Sequence, residues 1–428
     1  PYVWISNNFA NTGIQMSKYN VYNPKGLNLI FDPNKQLDNA DKLKASTGNQ
    51  EINVFADNFK FTQTLKFNLG FDFKALGIDW TAEAIYSKTL NDIYYKNLAI
   101  EETGRTFGQE TGYTWDNRPM FEQTTKGTPY AYVYGLYNTN KGYTVNLSLK
   151  AEKHFNFGLD LMASYTWTRS MSVNSGTSSV AGSNWMFNTT YRNPNDPELG
   201  FSAYNVPHRI QASAYYHVGY GTRKQWQTTV GVIYQGRSGS PYVIEMYGDM
   251  NNDGARGNDI MFIPTDAQID QMHFAPTTVN NSKNTYPLIT KVLGTNYSGN
   301  LTEDQQRALL KQWIADDSYM SKHRGEYFKR YADNLAFEHH FDVHFAQKYS
   351  FKVGGQINSL ELSFDIINIG NLLNKDWGHT YGDGFGRYFS PFNYEGDGLF
   401  KFDGTHVNRD YDSYNSRWRG QIGLRYTF

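Results

Sequence analysis

The stretch GDMNNDGARGND sets Asp249, Asn251 and Asp253 at alternate positions and follows them with Gly254. Hard oxygen ligands at positions one, three and five, with a glycine at six for the sharp turn, open an oxygen-ligated calcium loop. Position twelve, where a bidentate acid is expected, is Ile260, with Asp259 one place early. One reading is an irregular Ca2+ loop built from Asp249, Asn251, Asp253 and Asp259. The other is an Asn/Asp/Gly-rich turn stiffened by side-chain to backbone hydrogen bonds. A second cluster, HHFDVH, places His340, Asp342 and His344 on one face of an extended segment, opposite Phe341, Val343 and Phe345. Imidazoles four residues apart on a strand lie roughly 13 Å apart, too far to share one metal, so a polar ladder is expected instead. G-x-S-x-G, H-E-x-x-H and a phosphate-cradling glycine loop are all missing, and nothing in the sequence positions the carboxylates of YEGDG and FDG. The expectation is a non-enzyme.

The segments that must carry these residues alternate with period two. In FKFTQTLKFNLGFDF, Phe59, Phe61, Leu65, Phe67, Leu69, Phe71 and Phe73 share a face, opposed by Lys60, Thr62, Thr64, Lys66, Asn68, Gly70 and Asp72. A link at 74–77 leads to a return strand with Trp80, Ala82, Ala84 and Tyr86 on one face, which makes a hairpin. Three more hairpins follow, around 154–156, 219–221 and 353–355, and a lone final strand, RWRGQIGLRYTF. In that strand Trp418, Gly420, Ile422, Leu424, Tyr426 and Phe428 face one way, and Arg417, Arg419, Gln421, Gly423, Arg425 and Thr427 the other.

Links inside hairpins are short, whereas those between hairpins run over about 98–141, 173–205, 239–335 and 369–411. Short turns at one end and long loops at the other mark an all-β, antiparallel transmembrane barrel of the Gram-negative outer membrane, apolar toward lipid and polar toward a wet lumen. Lys60, Lys66, His340, Asp342, His344, Arg417, Arg419 and Arg425 are then expected to face the lumen. Trp80, Tyr86, Tyr165, Trp167, Trp226 and Tyr234, near strand ends, suit an interfacial girdle. The 239–335 loop holds a helix near 303–315, opened by a Thr302/Gln305 capping box and striped by Leu309, Leu310, Trp313 and Ile314. That helix is read either as a lid or as an element that packs the loop onto the barrel mouth.

Composition agrees. Among 428 residues, 39% are hydrophobic and 16% aromatic, with 38 Gly and a formal net charge of -1. No run reaches the roughly 20 apolar residues of a spanning helix. Balanced charge gives no nucleic-acid footprint, and zero cysteines remove disulfides, thiol catalysis and Cys-ligated zinc. Nine spanning strands is an odd number, whereas single-chain bacterial barrels are even. With a periplasmic C-terminus residue 1 would start outside, so residues 1–428 are expected to be the C-terminal part of a larger barrel. The opening PYVWISNNFANTG has neither initiator Met nor signal peptide, which fits a processed, truncated or partial chain.

The segments NTNKGYTVNLSLKAEKHFNFGLDLMASYTWTRS, NPNDPELGFSAYNVPHRIQASAYY, GRSGSPYVIEMYGDMNNDGARGNDIMFIP, YMSKHRGEYFKRY and FDIINIGNLLNKDWG resemble, in order, the barrel of Oar-like TonB-dependent outer-membrane receptors of the Bacteroidota type. NLLNKDWG and PNDPELG favour that branch over starch-type glycan importers. The resemblance implies a 22-stranded barrel, of which these would be strands 14 to 22, together with a plug domain and a TonB box, neither of which lies in this sequence. It also implies a barrel-assembly signal at Ile422, Leu424, Tyr426 and Phe428. The partners implied are outer-membrane lipid, the barrel-assembly machinery, TonB through the missing N-terminal region, and a surface lipoprotein. Function is then expected to be energy-coupled uptake of an unidentified substrate. The alternative is a surface scaffold or adhesion protein that uses the barrel as an anchor, and a soluble repetitive β-protein is a remoter third.

Overall fold

The computed structural model describes residues 32, 34–35, 50–128, 130–382, 388–407 and 412–428. PYVWISNNFANTG lies outside the described residues. Nine long strands form one antiparallel wall: β1 Gln63–Ala75, β2 Ile78–Asn97, β3 Tyr143–His154, β4 Leu159–Ser172, β5 His208–Tyr220, β6 Trp226–Arg237, β7 Glu338–Val353, β8 Gln356–Ile367 and β9 Arg419–Thr427. Each pairs with its neighbours in chain order.

The register turns the period-two pattern into two continuous faces. Phe71 opposes Ala82, Ala82 opposes Leu149, Leu149 opposes Tyr165, and Tyr165 opposes Ile210. Farther along, Val230, Phe345, Phe364 and Ile422 continue an apolar row to the last strand. One residue over, Ser148, Thr166 and Arg209 form a row on the polar face. A one-residue slip would carry every apolar side chain to the polar face, so the pattern itself fixes the register. Among the described residues the apolar face is left open: Leu69, Leu424 and Ile422 are 74%, 72% and 73% exposed.

At one end of the wall the turns are tight. Leu76-Gly77 and Gly354-Gly355 hold positive φ at both central positions (58° and 70°, 56° and 91°), which matches the twist of two-residue hairpins. Two predicted boundaries are corrected. Lys60, with Phe59 and Phe61, precedes β1: Phe59 closes a turn on Ala56, and the Lys60 main chain is bound in both directions by the Asn138 amide. Arg417 and Trp418 precede β9, with the Arg417 amide turned back to Tyr414. Neither Lys60 nor Arg417 is therefore a wall residue. Among the described residues the sheet does not close. β1 and β9 each have a partner on one side only, so these residues form an open stretch of wall and leave the expected count of 22 strands unconfirmed.

At the other end the long loops are folded into a cap. β2 runs past the wall, and its far end, Asp92–Asn97, pairs with Tyr130–Thr139, which in turn pairs in parallel with Gln50–Phe55. A mixed five-stranded sheet takes His273–Phe274, Leu399–Lys401, Tyr388–Gly396, Pro241–Tyr247 and Asp333–Asn334, in that order. Two helices pack beside it, α1 Pro287–Leu293 and α2 Glu303–Asp316. The predicted capping box is present: Gln305 donates its amide to Thr302 Oγ1 at 3.2 Å, and Thr302 donates to Gln305 Oε1 at 2.9 Å. Leu309, Leu310, Trp313 and Ile314 are buried, with Trp313 stacked on Phe402 at 5.2 Å. The larger hydrophobic core lies here, around Val243, Ile244, Met261, Phe328 and Phe392. At roughly 1.5–3 kcal/mol for each large apolar side chain buried, this core is what holds the cap together.

Candidate functional site

The polar face of the wall and the base of the cap hold most of the residues singled out by sequence. Lys66, His340, Asp342, His344, Arg419 and Arg425 lie on the strands, their registers set by Ser87, Gln235, Ile233, Gly231, Ile367 and Glu361. The histidines do not share a site. His344 Nδ1 lies 2.6 Å from Asp365 Oδ1, whereas His340 Nε2 meets Thr380 Oγ1 at 3.2 Å. Asp342 accepts the Asn368 amide at 2.7 Å. This is the expected polar ladder, and it also anchors the cap, because the Asn368 side chain donates to Gly378 O at 2.9 Å and Ser416 O at 2.8 Å. Two quoted motifs thus act as staples. In PNDPELG, Asn195 likewise accepts from the Trp185 indole at 2.9 Å and from the Asn97 amide at 2.7 Å. Beside it, a cleft of about 410 Å³ is lined by Tyr94, Asn138, Lys141 and Asp196 among others.

The densest charge lies deeper in the cap, in the acidic loop. Pro241–Tyr247 delivers the chain into it, and positive φ at Gly248, Asn252, Gly254 and Gly257 permits the folded path. Asp249 accepts the amides of Asp253 at 3.0 Å and Gly254 at 2.9 Å. Asn251 Oδ1 accepts the same Asp253 amide, and Asp253 Oδ1 accepts the Ala255 amide at 2.7 Å. The Asn251 and Asn258 amides both donate to Asp253 Oδ2, at 3.2 and 2.8 Å. Asp249, Asn251 and Asp253 are therefore brought together, by the side-chain to backbone hydrogen bonds of an Asn/Asp/Gly-rich turn.

Asp259 is not. Its Oδ1 takes the Arg118 guanidinium at 2.9 Å and its Oδ2 the Met250 amide at 2.9 Å, so it acts as a strut behind the loop. Arg118, which sequence reading missed, is fully buried. Its Nε reaches Asp116 Oδ1 at 2.9 Å and its Nη2 reaches Ile260 O at 3.0 Å. Tyr327 completes the knot by donating to Asp116 Oδ1 at 2.7 Å. In TWDNRPM the Asp116 partner is local, but Asp259, the partner that ties Arg118 to the acidic loop, lies 141 residues away.

Electrostatics make the loop unusual. Desolvation pushes the Asp253 carboxyl well above the ordinary range, and Asp259 and Asp249 add to it. Burial, then Asp259, lifts Asp249 to about 6. Glu245, on the strand just before the loop, is raised by burial and by Asp259. Burial works against the Arg118 charge, but Asp116 and Asp259 hold it above the usual guanidinium value. Among the described residues no three His, Cys, Asp or Glu side chains gather closely enough to hold a metal by themselves.

A family model described as "Outer membrane beta barrel domain" matches residues 4–374, most of the chain. Among solved structures, the outer membrane transporter YddB from Escherichia coli is similar at 11% identity and a TM-score of 0.35, over 90% of this chain and 35% of that one. The chain thus spans about a third of that transporter's length, and a likeness at this level carries no argument about activity. No curated protein matches the sequence.

Proposed function

We propose, from the premise that this chain belongs to the outer membrane β-barrel domain family and is an outer-membrane protein, that it is part of an energy-coupled receptor that takes up a substrate through the barrel. One observation carries the reading: a wall apolar on one face and polar on the other, roofed at its loop end by a cap with its own core. Lipid suits the first face, and a wet lumen lined by Lys66, His344, Asp365 and Arg425 suits the second. The unmatched backbone ladders of β1 and β9 require partners, because open sheet edges do not persist in lipid. In this reading further strands complete a barrel of the Oar-like, TonB-dependent type, and a plug with a TonB box closes it from below.

The test is co-purification of the intact outer-membrane protein with TonB after cross-linking in cells, with and without collapse of the proton gradient. A cross-link lost when the region upstream of Pro1 is deleted supports an energised receptor. A protein that never meets TonB, yet whose loops bind other cells or a surface lipoprotein, would instead be a scaffold anchored by its barrel. The size of the folded cap favours that as the second reading.

A further inference from the structure

Three features stand outside the account so far: the polar cleft beside Tyr94, the buried Arg330, and the acidic loop with its unmatched oxygens. The cleft contains no buried polar group without a partner. Arg330 spends its Nη groups on the Val173 and Ser172 carbonyls and on Asn188, a cross-loop tie, and its one orphaned atom, Nε, is a donor on a cation that needs no added positive ion. The loop is different.

Glu245, Asp253, Asp259 and Asp116 are each 3% exposed or less, Asp249 is half-buried, and Arg118 is the one buried guanidinium set among them. Arg118 is already divided between Asp116 and Asp259, and Arg256, the loop's own cation, is exposed. Buried carboxylates without a counter-charge are costly. A second observation is independent of the charge count. Asn258 is 1% exposed and aims its amide into the loop, where Nδ2 holds Asp253, yet its Oδ1 has no donor. Glu245 Oε1 is buried and equally without one. Two buried oxygens without a donor, one in the loop and one on the strand that enters it, are groups that an oxygen-seeking ion would satisfy.

We propose that the loop 249–258 is a calcium site, with Asp249, Asn251, Asp253 and the Asn258 side-chain oxygen as ligands, and that the bound ion locks the cap over the wall. Two acids supplemented by side-chain amide and main-chain oxygens form a hard-oxygen donor set, which suits Ca2+ and not zinc. Asp259 belongs to the supporting shell, because it is neutralised by the Arg118 cation, whereas the oxygens of Asp249 and Asp253 are held only by neutral N–H groups of the loop. The lock is structural because the loop touches distant segments. Asn252 donates to Phe121 O at 3.0 Å, and Phe121 donates its amide to Asn251 O at 2.8 Å.

The test uses the intact protein extracted from outer membranes, stripped with EGTA and titrated with CaCl2 or MgCl2. Binding is read by calorimetry and cap integrity by the rate of protease cleavage in the loops. The expected result is one Ca2+ per chain, at least tenfold slower cleavage in Ca2+ than in EGTA, and little recovery with Mg2+. Asp253→Asn discriminates the site from a mere acidic turn. At a calcium site it abolishes the Ca2+ response while slowing cleavage in EGTA, since a buried charge has been removed. In a metal-free turn it slows cleavage equally in both buffers. Asn258→Ala, which removes no charge, should weaken Ca2+ binding at least tenfold, and loss of its bond to Asp253 should speed cleavage in EGTA as well. Absence of binding, or identical cleavage in Ca2+ and EGTA, would overturn the proposal and leave the transport reading untouched.

Discussion

Arg118→Met isolates the electrostatic knot at the centre of the cap. Methionine approximates the length of the side chain but removes the guanidinium from between Asp116 and Asp259, both almost fully buried. Deleting one partner of a buried ion pair costs roughly 3–5 kcal/mol, since the other charge is left uncompensated. Two features pull the value toward the lower end. Asp116 keeps the Tyr327 hydroxyl at 2.7 Å, and Asp259 keeps the Met250 amide at 2.9 Å. Loss of the bond to Ile260 O and of the ring contacts with Tyr327 and Phe107 pulls the other way. A cost of about 3 kcal/mol corresponds to an opening equilibrium roughly 150-fold more favourable. Native-state proteolysis reads this directly, provided cleavage is slow beside reclosing. The wall strands should remain protected while the loops at 112–123 and 245–262 become cleavable. Combining Arg118→Met with Asp116→Asn and Asp259→Asn should recover most of the loss. A rise in cleavage of less than fivefold, or no recovery in the triple variant, would refute this view of the knot.

Other substitutions follow from the same geometry. Arg330→Met orphans carbonyls and no carboxylate, so it should cost about 1–3 kcal/mol, less than Arg118→Met, by the same proteolysis assay. Thr302→Ala removes a capping box and should destabilise α2 by roughly 0.5–2 kcal/mol, whereas Trp313→Ala, emptying the stack on Phe402, should cost about 3–5 kcal/mol. Both are measured as protection of the 303–316 segment in hydrogen exchange. Leu424→Lys on the apolar face should cost about 2–4 kcal/mol of folding into lipid vesicles, and Gln421→Lys on the polar face about 0–1 kcal/mol. Equal costs would mean that the two faces do not meet different solvents.

The wall was legible in the sequence because its information is local. Period-two alternation in β1 to β9 fixes face, register and turns without reference to distant residues, and all four predicted hairpins are present. The misplaced ends, Lys60 and Arg417, show the limit: alternation continued past the point where Asn138 and Tyr414 capture the main chain. The cap was illegible because it is built from pairings between loops far apart in sequence, such as Val243 beside Tyr388. Its acidic loop announced itself through Asp249, Asn251 and Asp253, whose spacing is local. Asn258, Glu245 and Arg118 have meaning only once Pro241–Tyr247 and the 112–123 segment are folded against that loop. The α2 helix fell between these cases: its cap and stripe could be read, and its burial against Phe402 could not.

The central claim is that the wall stands in a bilayer with its apolar face to lipid and its polar face to water. The chain has no cysteine, so single cysteines can be introduced along β8 without background. The direct measurement is to spin-label Leu360, Glu361, Leu362, Ser363, Phe364 and Asp365 in turn, in the intact protein in its membrane, and to compare collision with oxygen and with a water-soluble nickel chelate. The account predicts strict alternation, with oxygen favoured at 360, 362 and 364 and the chelate at 361, 363 and 365. Uniform access to the chelate at all six positions would contradict it.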